Sequence, residues 1–462
     1  MSDLWTAKEI QTAIGGELHG DFTCKHVAFD SREIGAGDLF FALKGEESDG
    51  HNFIEKAFEN GASAAITNVK IDHLHILVDD TMLALNALAV AARNRVSAKI
   101  IGVTGSAGKT GTKEALFAAL DRSSRGAAHR SVKSYNNHVG VPLSLSRMPT
   151  ATEFGIFEMG MNHPGELSAL TQLVRPDVAI VTTIAPAHIG FFKDEAEIAT
   201  AKGEIFEGLS KDGTAIIPAD NPHCELLRSI ALNYTSNVIT FGFSADADVR
   251  VIDHVPAHNG GTLITAKLMQ GSLCYTLSQP GAHWVANSLA VLAAVEAVGG
   301  DLASAGLAMA ELPGLDGRGA RYQIEVGERS LLLIDESYNA NPASMTVTLA
   351  ELGNTPASRK IAVLGAMKEL GEKSDYYHAA LAKDLVAANV DYAILVGDEF
   401  KILVGNFQSG VEGPRKFDHC VTANQAIDLL RHEIQSGDAI LVKGSNSMGL
   451  SKIVTELRAE SR

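Results

Sequence analysis

Residues 104–110 read Thr104-Gly105-Ser106-Ala107-Gly108-Lys109-Thr110, set between the apolar run Lys99-Ile100-Ile101-Gly102-Val103 and a helix-like stretch from Lys113 to Leu120. A strand, a glycine turn and a Lys-Thr pair opening a helix make a seat for nucleotide phosphates. Small residues let backbone N–H groups converge on an anion, and the helix N-terminus adds partial positive charge. Gly105, Ser106, Ala107, Gly108 and Gly111 are therefore candidate contacts for a nucleotide's phosphates, with Lys109 reaching the outer phosphates and the Thr110 hydroxyl holding Mg²⁺. The position five residues before Gly108, usually Gly in such loops, is Val103, with Gly102 one step too early. The loop is a shortened one, so by itself it indicates a nucleoside triphosphate and not a family. A glycine-rich turn that binds nothing would have no need of the Lys-Thr pair.

Working outward, 462 residues exceed one ordinary core and suggest about three domains. A composition of 46% hydrophobic and 20% charged residues is that of a globular chain with an ample core. The formal charge of −16, without a Lys/Arg cluster, argues against a nucleic-acid partner. An anionic substrate must then be held by a few placed cations and N–H groups. Cys24, Cys224, Cys274 and Cys420 are far apart and form no Cys-x-x-Cys pair, as expected of reduced thiols in the cytoplasm. Met1 to Gln11 lacks a signal peptide's apolar core, and no apolar run approaches the ~18 residues of a membrane span, so a cytoplasmic protein without membrane insertion is expected.

The predicted fold class is α/β in three domains. Residues 1–83 form a small α/β unit with a strand at Leu39 to Leu43 and a helix from about His51 to Asn60. Residues 84–312 start with a helix over 84–98 and then alternate apolar runs with helical stretches. Those runs are Phe154 to Met159, Val178 to Ile184, Ala215 to Pro218 and Val238 to Phe241, and they predict a largely parallel sheet with helices on both faces. A helix from Trp284 to Val298 closes the unit, and 313–319 has a linker's composition. Residues 313–462 form a third, Rossmann-like unit, with strands near Leu331–Ile334, Lys360–Leu364, Tyr392–Val396 and Ala439–Val442. It carries no Gly-x-Gly-x-x-Gly, so dinucleotide binding is not supported.

In open parallel sheets ligands bind beyond the carboxyl ends of the strands, and several polar clusters fall there. Glu158 ends a strand, where its carboxylate either reaches a metal held by Thr110 or serves as a capping acid. His188, in Ala185-Pro186-Ala187-His188, is either a metal ligand or an ordinary surface imidazole. Lys202, in Ala201-Lys202-Gly203-Glu204, reads by itself as a helix lysine pointing into water. His283 and Asn287 share one helical face at i, i+4. Asp335-Glu336-Ser337-Tyr338-Asn339-Ala340-Asn341-Pro342 follows a strand, with side chains suited either to turn chemistry or to a ribose or base.

Together these clusters resemble the Mur ligase family, ATP-dependent amide-forming enzymes of peptidoglycan precursor synthesis, in the family's motif order and over almost the whole chain. The similarity rests on Thr104 to Thr110, Glu158-Met159-Gly160-Met161-Asn162-His163-Pro164-Gly165-Glu166, Ala185 to His188, Ala201 to Phe206, Asp335 to Pro342 and Val363 to Gly371. It extends to Asp30-Ser31-Arg32, Gly45 and Asp49-Gly50-His51 in the first unit, and to Tyr135-Asn136-Asn137 after the ATP helix.

The resemblance implies that Lys109 and the loop amides bind ATP phosphates and that Thr110 and Glu158 hold one Mg²⁺. His188 would ligate a second Mg²⁺ shared with the substrate carboxylate, and Lys202 would be carbamylated to meet it. His283, Asn287, Asp335 and Asn339 would serve ATP, and Arg318 in the linker would reach the γ-phosphate. Ser31, Arg32, Asp49, Gly50, His51, Tyr135, Asn136 and Asn137 would serve the UDP-sugar substrate. The implied partners are UDP-N-acetylmuramoyl-tripeptide and D-alanyl-D-alanine, joined through an acyl phosphate by a chain expected to be monomeric. A folylpolyglutamate-type ligase would share the ATP loop but not residues 338–342 together with Asp30-Ser31-Arg32. A non-enzymatic ATP-gated switch would not need the acid, His and Lys clusters.

Overall fold

The computed structural model describes residues 3–45, 48–257 and 261–461 and contains three main sheets that follow one another along the chain. The first, of five strands, runs in the order Glu17–His19, His75–Leu77, Ala64–Thr67, Leu39–Phe41 and Val27–Ala28. All its pairs are parallel except the first. The helix expected over 84–98 spans Thr81–Asn94 and is capped by Asp80, whose carboxylate accepts from the Met82 and Leu83 N–H groups at 2.7 and 2.9 Å. Its Ala84, Leu85, Leu88 and Ala92 pack into one core with Trp5, Ile10 and Phe41 of the first unit.

The middle sheet has nine strands. Six expected or neighbouring strands, from Ala128–Arg130 through Asn237–Gly242, run parallel, and Val249–Pro256 continues that direction. The sheet is thus largely parallel, as expected, and only its last two strands, Thr262–Leu268 and Gly271–Leu277, pair antiparallel. The chain turns back within two residues between Leu268 and Gly271, and a parallel return needs a crossover of a dozen residues or more. Lys99–Thr104 lies at the centre with Ile100, Ile101 and Val103 fully buried, which is why it reads as an unbroken apolar run. It sits between Phe154–Glu158 and Val178–Val181, and the chain order reverses at this point. A crevice opens where strand order reverses, so the phosphate loop leaves its strand at the place such sheets bind ligands.

The third sheet orders Ala320–Val326, Arg329–Glu336, Asp438–Lys443, Arg359–Gly365, Tyr392–Val396 and Lys416–Cys420, all parallel but the first pair. Lys416–Cys420 escapes a search for apolar runs because Lys416, Asp418 and His419 interrupt it at the sheet edge. One apolar cluster continues from the middle unit into the third, joining Ile189 and Phe192 to Met367 and Leu370. Among the described residues no helix is long and apolar enough to cross a membrane.

Candidate active site

The phosphate loop is pressed against the neighbouring strand. Gly105 has φ +149°, and a Cβ there would stand 1.9 Å from the Thr182 hydroxyl, so it takes the part of the glycine missing at position 103. That hydroxyl donates to the Ala107 carbonyl at 2.5 Å and shapes the loop from below. Ser106 is also tied inward, its Oγ donating to the Ala185 carbonyl at 2.9 Å and accepting from the Ala185 N–H at 3.0 Å. Gly108 caps the helix Lys109–Ser124 with φ +83°, and a Cβ there would lie 2.8 Å from the Asn287 amide. Trp284 covers Gly111 in the same way. Asn287 thus stands against the loop, and His283 lines the same cleft.

Lys109 folds back, its Nζ donating to the Gly105 carbonyl at 2.6 Å. Burial lowers the pKa of this ammonium, Glu158 opposes that shift and Arg318 adds to it. Glu158 is fully buried at its strand end; Oε2 accepts from the Thr110 hydroxyl at 2.9 Å and Oε1 from the Asn136 amide at 2.8 Å. A hydroxyl and a carboxylate side by side are hard oxygen donors suited to Mg²⁺, which usually completes its shell with phosphate oxygens and water. Among the described residues no three His, Cys, Asp or Glu side chains form a metal cluster, as this donor set requires none.

Lys202 departs from the solvated reading. It is 1% exposed on the helix Glu195–Gly203, and its ammonium makes no hydrogen bond or ion pair among the described residues. Burial drives its pKa well below the usual lysine value, and the nearby Lys109 charge pushes the same way. A buried ammonium with only a second cation beside it is an expensive arrangement, whereas a carbamate at that nitrogen would carry the opposite sign. His188 adopts φ +58° and pairs through Nδ1 with Glu369 of the third unit.

The facing wall comes from the third unit. Arg318 stacks 3.9 Å above the Tyr338 ring and donates to the Ser134 hydroxyl of the middle unit at 3.0 Å. Arg321, three residues on, is exposed on its strand. Asn341 donates to the Ser106 carbonyl at 3.2 Å, and His283 Nδ1 lies 3.0 Å from Glu351 Oε1. The result is a cleft of about 600 Å³ lined by Ser106, Ala107, Gly108, Lys109, Gly111, Asn136, Glu158, His188, His283, Asn287, Arg318 and Asn339. Asp335 is not on its wall. Its carboxylate accepts from the Gly317 N–H at 2.8 Å and from the Ser337 hydroxyl at 2.6 Å, so it braces the linker turn behind the cleft. A second cavity of about 520 Å³, near Arg93, Arg175 and Asp177 at the amino ends of the middle strands, holds none of the expected residues.

The first-unit residues form a separate surface. Asp30 pairs with the exposed Arg32 at 2.6 Å, Asn60 donates to the Ser31 carbonyl at 2.8 Å, and Asp49 holds His51, which follows Gly50, at 2.6 Å. The segment 131–137 bridges this surface and the cleft: Tyr135 and Lys133 both reach Glu33, while Asn136 reaches Glu158. Asn137 is occupied locally, its side-chain oxygen accepting from the Gly140 N–H at 2.9 Å.

The motif search missed Lys113. Fully buried one turn beyond Lys109, it donates to the Ser131 and Lys133 carbonyls at 3.0 and 2.6 Å and lies 3.9 Å from Glu158. Its i, i+4 spacing from Lys109 was the available signal. Ser134 carried none, being a small polar residue in a loop.

Three family descriptions match in succession: "Mur ligase family, catalytic domain" over 23–104, "Mur ligase middle domain" over 103–295 and "Mur ligase, glutamate ligase domain" over 320–446. The UDP-N-acetylmuramoyl-tripeptide–D-alanyl-D-alanine ligase of Escherichia coli is 35% identical, with 98% of each chain covered. The protein of the same name from Synechocystis is 34% identical, over 96% of this chain and 94% of its own. Among solved structures, MurF from Acinetobacter baumannii superposes with a TM-score of 0.83 at 31% identity, covering 98% of this chain and 99% of that one. MurF from Thermotoga maritima in complex with ADP gives 0.76 at 27% identity, covering 94% and 97%. With this architecture, a phosphate loop at the sheet's reversal point and relatives matched end to end, the chain belongs to the Mur ligase family.

Proposed function

We propose that this chain joins D-alanyl-D-alanine to UDP-N-acetylmuramoyl-tripeptide at the expense of ATP, forming ADP, phosphate and the UDP-muramoyl-pentapeptide. The observation that carries this reading is the cleft in which Lys109 of the middle unit and Arg318 of the third face each other, in a chain matched over its full length by ligases of that name. Residues 1–83 are assigned to the UDP-sugar, 84–312 to ATP and 313–462 to closing the site and receiving the dipeptide. The protein acts in the cytoplasm as a monomer.

A carboxylate is a poor acyl donor because its leaving group would be oxide. Transfer of the γ-phosphoryl group to the tripeptide's terminal carboxylate replaces that leaving group with phosphate. Two anions must meet for this, and Coulomb repulsion opposes them. Lys109, the loop N–H groups and Arg318 offset the repulsion and the charge that spreads over the phosphoryl oxygens in flight. His283 and Asn287 orient the nucleotide over the loop. Thr110 and Glu158 would hold one Mg²⁺, His188 and a carbamylated Lys202 a second, and the metal would supply further positive charge at the same oxygens. Tyr135 and Asn136 bring the sugar-nucleotide end into register with the cleft through their contacts to Glu33 and Glu158.

ADP release measured against a panel of UDP-muramoyl peptides tests the reading. Turnover is expected only with the tripeptide, ATP and D-alanyl-D-alanine all present. Turnover with a folate substrate, or without any amine, would overturn it. Lys202→Ala is expected to lower activity about a hundredfold, the scale of one electrostatic contact in such a site, with partial recovery on adding a short carboxylate such as acetate. A ¹³C carbamate resonance in wild-type protein given labelled bicarbonate, lost in the variant, checks the modification directly.

A further inference from the structure

Three carboxylates line the cleft among the described residues, and two are fully engaged. Glu158 takes Thr110 on one oxygen and Asn136 on the other. Asp220 accepts the Phe243 N–H on Oδ2 at 2.6 Å and the Ser244 N–H on Oδ1 at 2.8 Å. Glu336 is different. It ends the strand Arg329–Glu336 in register with Lys443 of the neighbouring parallel strand, and Oε2 lies 3.3 Å from Lys443 Nζ. Lys443 is buried and anchored, its ammonium also donating to the Asn339 carbonyl at 3.1 Å. Oε1 accepts no hydrogen bond among the described residues. It rests 3.3 Å from where a Cβ on Gly319 would stand, beside the Arg318 that faces the phosphate loop. One oxygen is therefore pinned by a buried lysine, and the other is left open next to the reacting end of the cleft.

The ligase reading, on which this inference rests, requires such an acceptor. At neutral pH the incoming amine is largely an ammonium ion and has no lone pair for attack. We propose that Glu336 takes this proton and so acts as the catalytic base of the second half-reaction, with Lys443 as its positioning residue. One N–H bond of the ammonium breaks and its proton passes to Oε1. The freed electron pair forms the C–N bond at the acyl carbon, and the carbonyl π pair moves to oxygen. The C–O bond to phosphate then breaks as the carbonyl re-forms, and phosphate leaves with that pair and takes the surplus proton on nitrogen. Glu336 returns its own proton to water. Of the imidazoles lining the cleft among the described residues, His188 keeps its Nδ1 against Glu369, and His283 keeps its own 3.0 Å from Glu351.

The test exploits hydroxylamine, which is uncharged at neutral pH and captures acyl phosphates as hydroxamates without needing a base. With UDP-N-acetylmuramoyl-tripeptide and ATP, Glu336→Gln is expected to lower turnover with D-alanyl-D-alanine about a hundredfold. Its hydroxamate formation should stay within about threefold of wild type, since hydroxylamine already offers a free lone pair and the proton its nitrogen sheds after attack leaves with phosphate. Glu336→Asp, which keeps the base, should recover part of the dipeptide-dependent turnover. Undiminished dipeptide turnover in Glu336→Gln, or a parallel loss with both nucleophiles, would overturn the role of Glu336 alone. Wild-type enzyme that yields no hydroxamate would overturn the acyl-phosphate reading and this inference with it.

Discussion

Replacing Lys109 by Met is expected to lower turnover by more than a hundredfold, about 3 kcal/mol of barrier. The side chain keeps most of its apolar stem and loses the charged donor at its tip, in a site where little water remains to substitute for it. The ammonium now rests on the Gly105 carbonyl 2.6 Å away, a contact it can exchange for a phosphate oxygen at small cost. Its other neighbours are Glu158, Arg318 and Lys202, so no remaining group can take its place on the loop side. Because the N–H groups of the loop survive the change, ADP should still raise the melting temperature, by less than in wild type. Rates of ADP formation and thermal shifts with ADP decide it. A variant within about fivefold of wild type would remove Lys109 from the account of phosphoryl transfer, since one lost electrostatic donor costs far more.

The second large effect is expected at Gly190, two residues beyond the cleft residue His188. Its N–H donates to the Glu369 carbonyl across the gap between the middle and third units at 2.9 Å. A Cβ at 190 would come within 2.7 Å of the Gly371 nitrogen and 2.9 Å of the Glu369 carbonyl oxygen. Backbone meets backbone there, and neither side can yield as a flexible side chain would. Gly190→Val should therefore hold the two units apart, move Arg318 and Glu336 off the phosphate loop and cut turnover about a hundredfold, the order of loss an ångström-scale misplacement brings. Affinity for ADP should fall much less, because the loop of the middle unit is untouched. Gly405→Ala is the control in the same third unit: nothing stands within 4 Å of the added carbon, and activity should not change. Small-angle scattering with both substrates would show the Gly190→Val protein remaining more extended than wild type. Equal compaction and equal turnover would sink the prediction.

Much of this was open to inspection along the chain. The phosphate loop is local, a buried apolar strand, small residues and Lys-Thr in one run, and local patterns survive whatever the rest of the protein does. Glu158 and His188 follow strands and fell at the sheet edge for the same reason. Other assignments depended on contacts between residues distant in sequence. Asp335 had the chemistry for a ribose, yet its oxygens are taken by Gly317 and Ser337, and a pattern of polar residues does not say which of them face inward. The middle sheet is largely parallel, as expected, and runs antiparallel only at 262–277, where connections of five and two residues leave no length for a crossover.

By itself the order of residues determined that this is an α/β protein with a phosphate loop and which strand ends carry its acids and bases, since strand and helix periodicities and glycine turns act within a few residues. Only the tertiary structure decided that Lys202 lies buried without an anion, that Gly190 and Gly371 meet backbone to backbone, and that Glu336 keeps one oxygen open beside Arg318. Burial, close approach and unmet hydrogen-bonding capacity are properties of neighbours that the folded chain brings together from separate elements, and no local pattern encodes them.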